Sequence, residues 1–482
     1  MNAWFWVFIA YISLNFLLFL SMVFLERKKL SSVISWTSVL TFLPILGYIL
    51  YMAFGSGLSI RVRKLIANHK IYQVDYDEAI NKFVVSNDEI KEKLKDDEGI
   101  IKCCYNYGSI LYPANDVQIF LNGPDKVEAL IADLEAAKES INMEYYIFID
   151  DEVGKRVMDV LIRKAKEGVK VRFIYDSVGC LRAPRRFFRK LKKAGGEVAE
   201  FFPPFAHIRL INLKLNYRNH KKIVVIDGKV AYTGGINIRD DHMGKKKRVS
   251  PWRDTHLRIV GSGVYGLQTV FLNDWRYLKK ENFSSQKYIE DGLFPAVVKS
   301  GDAYMQVVVS GPDSPVQKIK EVFIKLIANA KESILIQTPY FVPDESFVSA
   351  LRIALASGVK VKIMIPSKPD YHSIFWVSLS YLKEFVELGA DVYLYDGFLH
   401  SKVIVVDDNK LSIGTCNLDQ RSFGLNFEDT VIMYSQELNA EYRKYYSEDL
   451  KNCKQADIVY FKKKRWLTKF LQAVFRLFSP IL

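Results

Sequence analysis

The sequence predicts an α/β protein: two homologous domains of mixed sheet flanked by helices, related by a pseudo-twofold axis and preceded by two transmembrane helices. Three observations lead there. Two long uncharged apolar stretches open the 482-residue chain, the remainder says nearly the same thing twice, and in each copy a helix-like stretch ends at glycine and runs into a β-branched segment. A chain of this length exceeds one ordinary core, and with 25% charged residues it carries a soluble body beside its apolar segments.

The apolar stretches run from Trp4 to Leu25 and from Val33 to Phe54, and neither holds a charged residue. Each is long enough to cross a hydrocarbon core of about 30 Å as a helix. Pro44 would kink the second, which neighbouring membrane helices tolerate. Trp4, Trp6, Trp36, Tyr48 and Tyr51 lie towards the segment ends, where an aromatic belt would sit. A cleaved signal peptide fits the first stretch poorly, because nothing basic precedes it, it is too long and no small-residue cleavage pattern follows. Arg27, Lys28 and Lys29 fill the turn, and Arg61, Arg63, Lys64 and Lys70 follow the second span, so charge hardly orients the pair. Residues 1–60 are thus expected to be a membrane hairpin, and the charged residues 61–115, with their run NDEIKEKLKDDEG, an irregular connector.

Beyond the connector the repeat is explicit. Ala137-Lys138-Glu139-Ser140-Ile141 returns as Ala330-Lys331-Glu332-Ser333-Ile334, and Gly168-Val169-Lys170-Val171 as Gly358-Val359-Lys360-Val361. VMDVLIRKAKEG leads into VKVRFIYD, and FVSALRIALASG into VKVKIMIP, the signature of helices alternating with strands. The expected domains are residues 116–290 and 291–461, followed by a tail at 462–482. In that tail Leu467, Phe470, Leu471, Val474, Phe475 and Phe478 recur at helical spacing after the basic run KKKR. The pattern fits a helix lying on an anionic membrane surface, with an ordinary core helix as the alternative.

Each copy closes on the same constellation: His220, Lys222, Asp227, Gly234 and Asn237 in the first, and His400, Lys402, Asp407, Gly414 and Asn417 in the second, at identical spacing. Two residues apart on a strand, a histidine and a lysine project from one face and present a nucleophile beside a cation. The apolar runs IVVI and VIVV anchor that strand, the aspartates fall at the turn beyond it, and the glycines let backbone approach a bound anion. One strand histidine is more often a core residue than a catalyst. Five matched positions recurring in a repeat are another matter.

These residues resemble the phospholipase D superfamily, whose mark is HxKxxxxDxxxxxxGxxN in two copies. Within it the chain is similar to the bacterial cardiolipin synthases, over nearly its whole length, from LPILGYILYMAFG in the apolar hairpin through both motif domains to the basic tail. The resemblance implies phospholipase D-like domains whose two motifs face each other in one site. One histidine would attack phosphorus to give a phosphohistidine, while the other protonates the leaving alkoxide and later deprotonates the incoming alcohol; the resemblance leans to His220 as nucleophile and His400 as acid and base. Lys222, Lys402, Asn237 and Asn417 would hold the phosphoryl oxygens, so that no metal or other cofactor is required. The family pattern also assigns the downstream acids Asp254, in PWRDTH, and Glu428, in LNFED, to orient the imidazoles, whereas the turn position of Asp227 and Asp407 suits bracing of the loop.

The implied reaction joins two phosphatidylglycerol molecules into cardiolipin and glycerol at the cytoplasmic membrane. A formal charge of +14 agrees with an anionic lipid substrate and surface. The nearest alternatives are a hydrolytic phospholipase D and a membrane-tethered nuclease; no recognised nucleic-acid module or basic aromatic stripe supports the latter. A non-catalytic lipid-binding scaffold would let one motif decay, and neither copy shows decay. Lys245-Lys246-Lys247-Arg248 reads equally as a phosphate contact or a solvated loop. The five cysteines, Cys103, Cys104, Cys180, Cys416 and Cys453, show neither a disulfide framework nor metal spacing.

Overall fold

The computed structural model describes residues 3–26, 30–43, 45–54, 88–202, 217–245, 250–280, 289–296, 299–464, 466–477 and 479. The basic residues expected at 27–29, 61, 63, 64, 70 and 246–248, and Pro44, lie outside them.

Among the described residues one sheet of sixteen strands runs through the body. At its middle Ala303–Ser310 pairs antiparallel with Tyr112–Phe120 on one side and with Asn426–Tyr434 on the other. Outward from Tyr112–Phe120 come His256–Gly261, Val230–Gly234, Lys222–Ile226, Ser140–Tyr145, Lys170–Asp176 and Glu197–Phe201. Outward from Ala303–Ser310 come Asn426–Tyr434, Lys410–Gly414, Val403–Val406, Ser333–Gln337, Lys360–Pro366 and Asp391–Tyr395, with Cys453–Gln455 added at the edge. The order of the repeated strands is the same in both directions, which is the pseudo-twofold relation that the duplicated segments predict. The three outer repeated strands of each half are parallel and the inner ones antiparallel, and the added edge strand Cys453–Gln455 is antiparallel to Asp391–Tyr395, so the sheet is mixed.

Local chemistry sets these elements. The helices Glu152–Lys166 and Glu345–Ala356 are capped by Asp151 and Asp344, whose carboxylates accept from the backbone N–H of Gly154 at 3.0 Å and of Phe347 at 3.1 Å. Each ends just before a glycine in the left-handed region, Gly168 at φ 95° and Gly358 at φ 86°, and the strands Lys170–Asp176 and Lys360–Pro366 follow. One core cluster crosses between the halves, joining Val225, Phe271 and Trp275 to Val405, Leu411 and Tyr442. Two others lie under the outer helices.

Three expectations are refined or corrected. The second apolar segment is not one unbroken helix: interrupted where the proline was expected to kink it, it forms Leu30–Phe42 and Leu46–Phe54, with Ile45 at φ 54° between them. Among the described residues one helix, Trp4–Phe24, is long and apolar enough to cross a membrane, and Val33–Phe42 is shorter. Met22, Trp36, Leu40 and Tyr51 pack these helices together. Nor is the connector irregular throughout. Its charged run is helical at Asp88–Lys93 and Glu98–Asn106, because Ile90, Leu94, Ile100 and Cys104 form an apolar stripe that packs on Val308, Val322 and Phe323 of the second repeat. Buried Asp97 accepts from Asn409 Nδ2 at 2.7 Å and lies 3.2 Å from Lys410 Nζ, pinning the strap. Third, the motif histidines do not sit on a regular strand; they stand just ahead of one, at the edge of the site described below.

The tail forms the helix Trp466–Leu477. Phe475 lies 5.7 Å from Trp376, and the Arg476 guanidinium sits over Tyr381 at 4.2 Å, while Trp466, Leu467, Phe470 and Leu477 stay exposed. All five cysteines are free thiols, with Cys104, Cys180 and Cys416 buried.

Candidate active site

The residues leading into each motif leave their own repeat and pair with the other. Arg218 and Asn219 run parallel to Asn426 and Phe427, and the His220 N–H donates to Phe427 O at 2.9 Å. Phe398 and Leu399 run parallel to Trp252 and Arg253, and the His400 N–H donates to Arg253 O at 2.7 Å. Carrying each register on by one residue sets His220 beside Glu428 and His400 beside Asp254. The contacts follow: His220 Nδ1 lies 2.8 Å from Glu428 Oε2, and His400 Nδ1 lies 2.7 Å from Asp254 Oδ2. Each imidazole is thus held by a carboxylate of the opposite repeat. Since an ionised carboxylate only accepts, both Nδ1 atoms carry the proton and both Nε2 atoms keep a free lone pair.

Both rings line one cavity of about 440 Å³, together with Asn237, Asn417, Tyr146, Arg218, Arg421 and Trp252. Burial lowers the His220 imidazole to about 4 against the opposing pull of Glu428, and holds His400 well below the ordinary histidine value. Both are neutral at pH 7. Burial also lowers Lys222 to about 8 and Lys402 to about 7, opposed chiefly by Glu428 for the first and Asp254 for the second. Each lysine Nζ donates to the carbonyl of its own motif histidine at 2.5 Å. A phosphodiester in the cavity would supply the missing counter-charge and restore both ammonium groups.

The two acids differ. Burial pushes Asp254 up despite Lys402, whereas for Glu428 the push of burial is outweighed by His220, Lys222 and the Thr415 hydroxyl, which donates to Oε2 at 2.6 Å. Position 235 corresponds to position 415 but is glycine, and a Cβ there would stand 2.0 Å from Asp254 Oδ1. A shorter acid therefore packs against glycine in one half, and a longer one against threonine in the other.

Asp227 and Asp407 lie away from the cavity. At φ 52° and 49° they turn back to accept the backbone N–H groups of residues 138–140 and 331–333, at 2.8–2.9 Å and 2.8–3.2 Å. They tie the motif turn to the AKES segment of the same repeat. Asn237 Oδ1 accepts from the Ile147 N–H at 3.2 Å, whereas Asn417 Oδ1 is buried without a partner among the described residues. Lys245 is exposed, pairs with Glu152 and is not part of the cavity lining.

Sequence reasoning missed Tyr146, whose ring meets His220 edge-on at 4.7 Å and carries the Lys222 ammonium at 5.5 Å, and it missed His242 and Trp252. Comparing the copies past AKESI, through EYYIFID and QTPYFVPD, would have marked the aromatic strand ends. His242 has no such signal, because its offset from Asn237 falls on Ser422 in the other copy. His242, Asp254 and His400 put nitrogen and oxygen donors within 4.8 Å of one another, close enough to hold a cation, although Asp254 already engages His400.

A sequence model of the family described as "Cardiolipin synthase, PLD-like domain" matches residues 130–247 and 323–450, one match per repeat. The chain is 41% identical over 477 residues to the major cardiolipin synthase ClsA of Bacillus subtilis (strain 168), covering 97% of each. It is 42% identical over 474 residues to a cardiolipin synthase of Listeria welshimeri, covering 95% of each. Among solved structures, the phosphatidylserine synthase of Haemophilus influenzae Rd KW20 superposes with a TM-score of 0.62 at 17% identity, over 80% of this chain and 100% of that one, which is a likeness of fold.

Proposed function

The chain belongs to the cardiolipin synthase family of phospholipase D-like phosphatidyltransferases, and we propose that it joins two phosphatidylglycerol molecules into cardiolipin and glycerol through a phosphohistidine. The observation that carries this reading is the crossed pair of imidazoles in one cavity, each with Nδ1 engaged by the opposite repeat.

His220, neutral and with Nε2 free, attacks the phosphorus of the first lipid. The P–O bond to the glycerol headgroup breaks as the N–P bond forms. His400, protonated once the anionic substrate is bound, gives its proton to the departing glycerol oxygen. Lys222, Lys402 and Asn417 take the charge on the non-bridging oxygens. A hydroxyl of the second lipid's headgroup then loses its proton to His400 and attacks phosphorus, releasing His220. The two steps mirror each other, so the transfer is reversible. Arg218 and Arg421 in the cavity wall suit the second anionic headgroup.

We also propose that both apolar segments are embedded in the cytoplasmic membrane, the second as its two helices, and that the exposed apolar face of Trp466–Leu477 rests on the lipid surface. The repeats, as domains over residues 116–290 and 291–461, would then work on lipid at that surface.

The test is purified full-length protein in liposomes with labelled phosphatidylglycerol, products resolved by mass. Cardiolipin with equimolar glycerol is expected. Phosphatidic acid instead would make it a hydrolase, and no turnover would leave only lipid binding.

A further inference from the structure

The tail helix Trp466–Leu477 carries two rows of side chains on opposite faces. Thr468, Gln472 and Phe475 recur at helical spacing and turn towards the body, and Ser479 continues their row one turn on. Gln472 and Ser479 are buried, and Phe475 packs against the core of the second repeat. Trp466, Phe470, Ala473 and Leu477, with Leu467 beside them, make the other row, and all five are exposed.

The inner row reaches the active site. Its seat is the helix His372–Glu387, where Phe475 lies 5.7 Å from Trp376 and Arg476 Nη2 lies 3.5 Å from Glu384 Oε2. Ser479 Oγ meets the Tyr381 hydroxyl at 3.3 Å. Side chains on a helix point back towards its N-terminus, which directs Tyr381 along the face that holds Ile374, two turns before it. Tyr371, Ile374 and Ser479 line the same cavity as His220 and His400. The tail thus supplies part of the wall around the reacting groups.

The outer row points to what lies on the far side of that wall. Contiguous exposed apolar side chains mark an interaction surface, and here Lys462, Lys463 and Lys469 are exposed around them while residues 458–479 hold no acid. An apolar stripe flanked only by cations fits the surface of an anionic bilayer.

We propose that the tail is the lipid-side wall of the active-site cavity: its outer row sits in an anionic bilayer while its inner row completes the lining through Ser479, so that a phosphatidylglycerol headgroup passes from the membrane to the imidazoles alongside the tail. The assignment rests on the phosphatidyl-transfer reading above and adds to the surface seat of the helix the route that substrate takes. A headgroup entering there reaches phosphorus chemistry without its acyl chains crossing water, the step that would oppose entry from solution.

The test compares full-length Leu467→Glu and Phe470→Glu with Ser479→Trp, in phosphatidylglycerol liposomes and on short-chain phosphatidylglycerol supplied from solution to the detergent-purified enzyme. A carboxylate in the outer row is repelled by the anionic surface, so KM on liposomes should rise about fivefold or more while turnover of the short-chain lipid stays within about twofold of wild type. Tryptophan at position 479 narrows the cavity from inside and should lower turnover of both substrates by about tenfold or more. If Ser479→Trp melts below wild type, alkylation of Ser479→Cys decides in its place: phosphatidylglycerol should slow it, measured against the native thiols. Outer variants that match wild type on liposomes, or that lose both substrates equally, would overturn the proposal. So would an outer variant that leaves the liposome KM alone and breaks up an oligomer in light scattering, because the row would then be a contact between copies. A fully active Ser479→Trp, or Ser479→Cys alkylated as fast with lipid as without, would overturn it too, leaving the helix on the membrane but outside the site. Wild-type protein yielding phosphatidic acid in place of cardiolipin would refute the transferase reading instead, and the same comparison of liposomes with short-chain lipid, made on that hydrolysis, still decides the role of the tail.

Discussion

His220 and Glu428 stand 208 residues apart in sequence, and their Nδ1 and Oε2 atoms meet at 2.8 Å. The acid that orients the first imidazole belongs to the second repeat, and the reverse holds for His400 and Asp254. Glu428→Gln and Asp254→Asn keep the size of each acid but place an uncharged amide against an N–H. Each should lower kcat by about 10²-fold or more, with Glu428→Gln slowing formation of the phosphoenzyme in a rapid-quench assay. A variant of either kind that runs at wild-type rate would disconnect the carboxylates from the chemistry.

The lysines set the pH dependence. A lysine binds a phosphodiester only while protonated, and in the empty site Lys402 and Lys222 are lowered to about 7 and about 8. The alkaline limb of kcat/KM, which reports the free enzyme, should therefore fall between those values. Bound anion raises both groups, so the limb of kcat should lie at higher pH. Coincident limbs in the two profiles would contradict this coupling.

Gly235→Ala tests the unequal packing of the acids. The new Cβ would collide with Asp254 Oδ1 and push the carboxylate off His400. A loss of kcat of about tenfold or more is expected, with a stability cost of about 1–3 kcal/mol for the overpacking. Thr415→Ala, in the equivalent place, removes one hydrogen bond and should cost about 1 kcal/mol. Thermal melts beside initial rates separate the two effects.

The strap offers a stability test remote from the chemistry. Asp97→Ala removes the 3.2 Å partner of Lys410, which keeps Asn409 Oδ1 at 2.7 Å and Asp407 at 3.9 Å, and should destabilise the body by about 1–3 kcal/mol. Denaturation of the full-length protein in detergent, followed by tryptophan fluorescence, measures it; an unchanged midpoint would mean that the strap contributes little.

Much of this was legible in the chain. That the two halves share one strand order follows from the AKESI and GVKV echoes, and the recurrence of His, Lys, Asp, Gly and Asn at matched spacing marked the two histidines and two asparagines that share a cavity and the lysines that bond the histidine carbonyls. Hydrophobic periodicity could not show that Asn219 and Leu399 pair with the opposite repeat, because register between distant strands is set by the assembled sheet. The pairing of His220 with Glu428, and not with the acid following its own motif, was invisible for that reason. The connector misled by its charge: Ile90, Leu94, Ile100 and Cys104 make a stripe too sparse to stand out among lysines and acids until the second repeat receives it. His242 was hidden by its uniqueness, since a residue present in only one copy draws no notice from comparison of the two.

Ala303–Ser310 meets Tyr112–Phe120 at Tyr112–Met305 and Asn115–Ala303 and pairs along its other edge with Asn426–Tyr434, and the core cluster that joins Val225, Phe271 and Trp275 to Val405, Leu411 and Tyr442 crosses the same seam. Opening this enzyme as a clam opens would mean parting that sheet contact and splitting a shared apolar core. Passage into and out of the site therefore falls to the side chains that line the cavity, while the two imidazoles stay where the crossed carboxylates hold them.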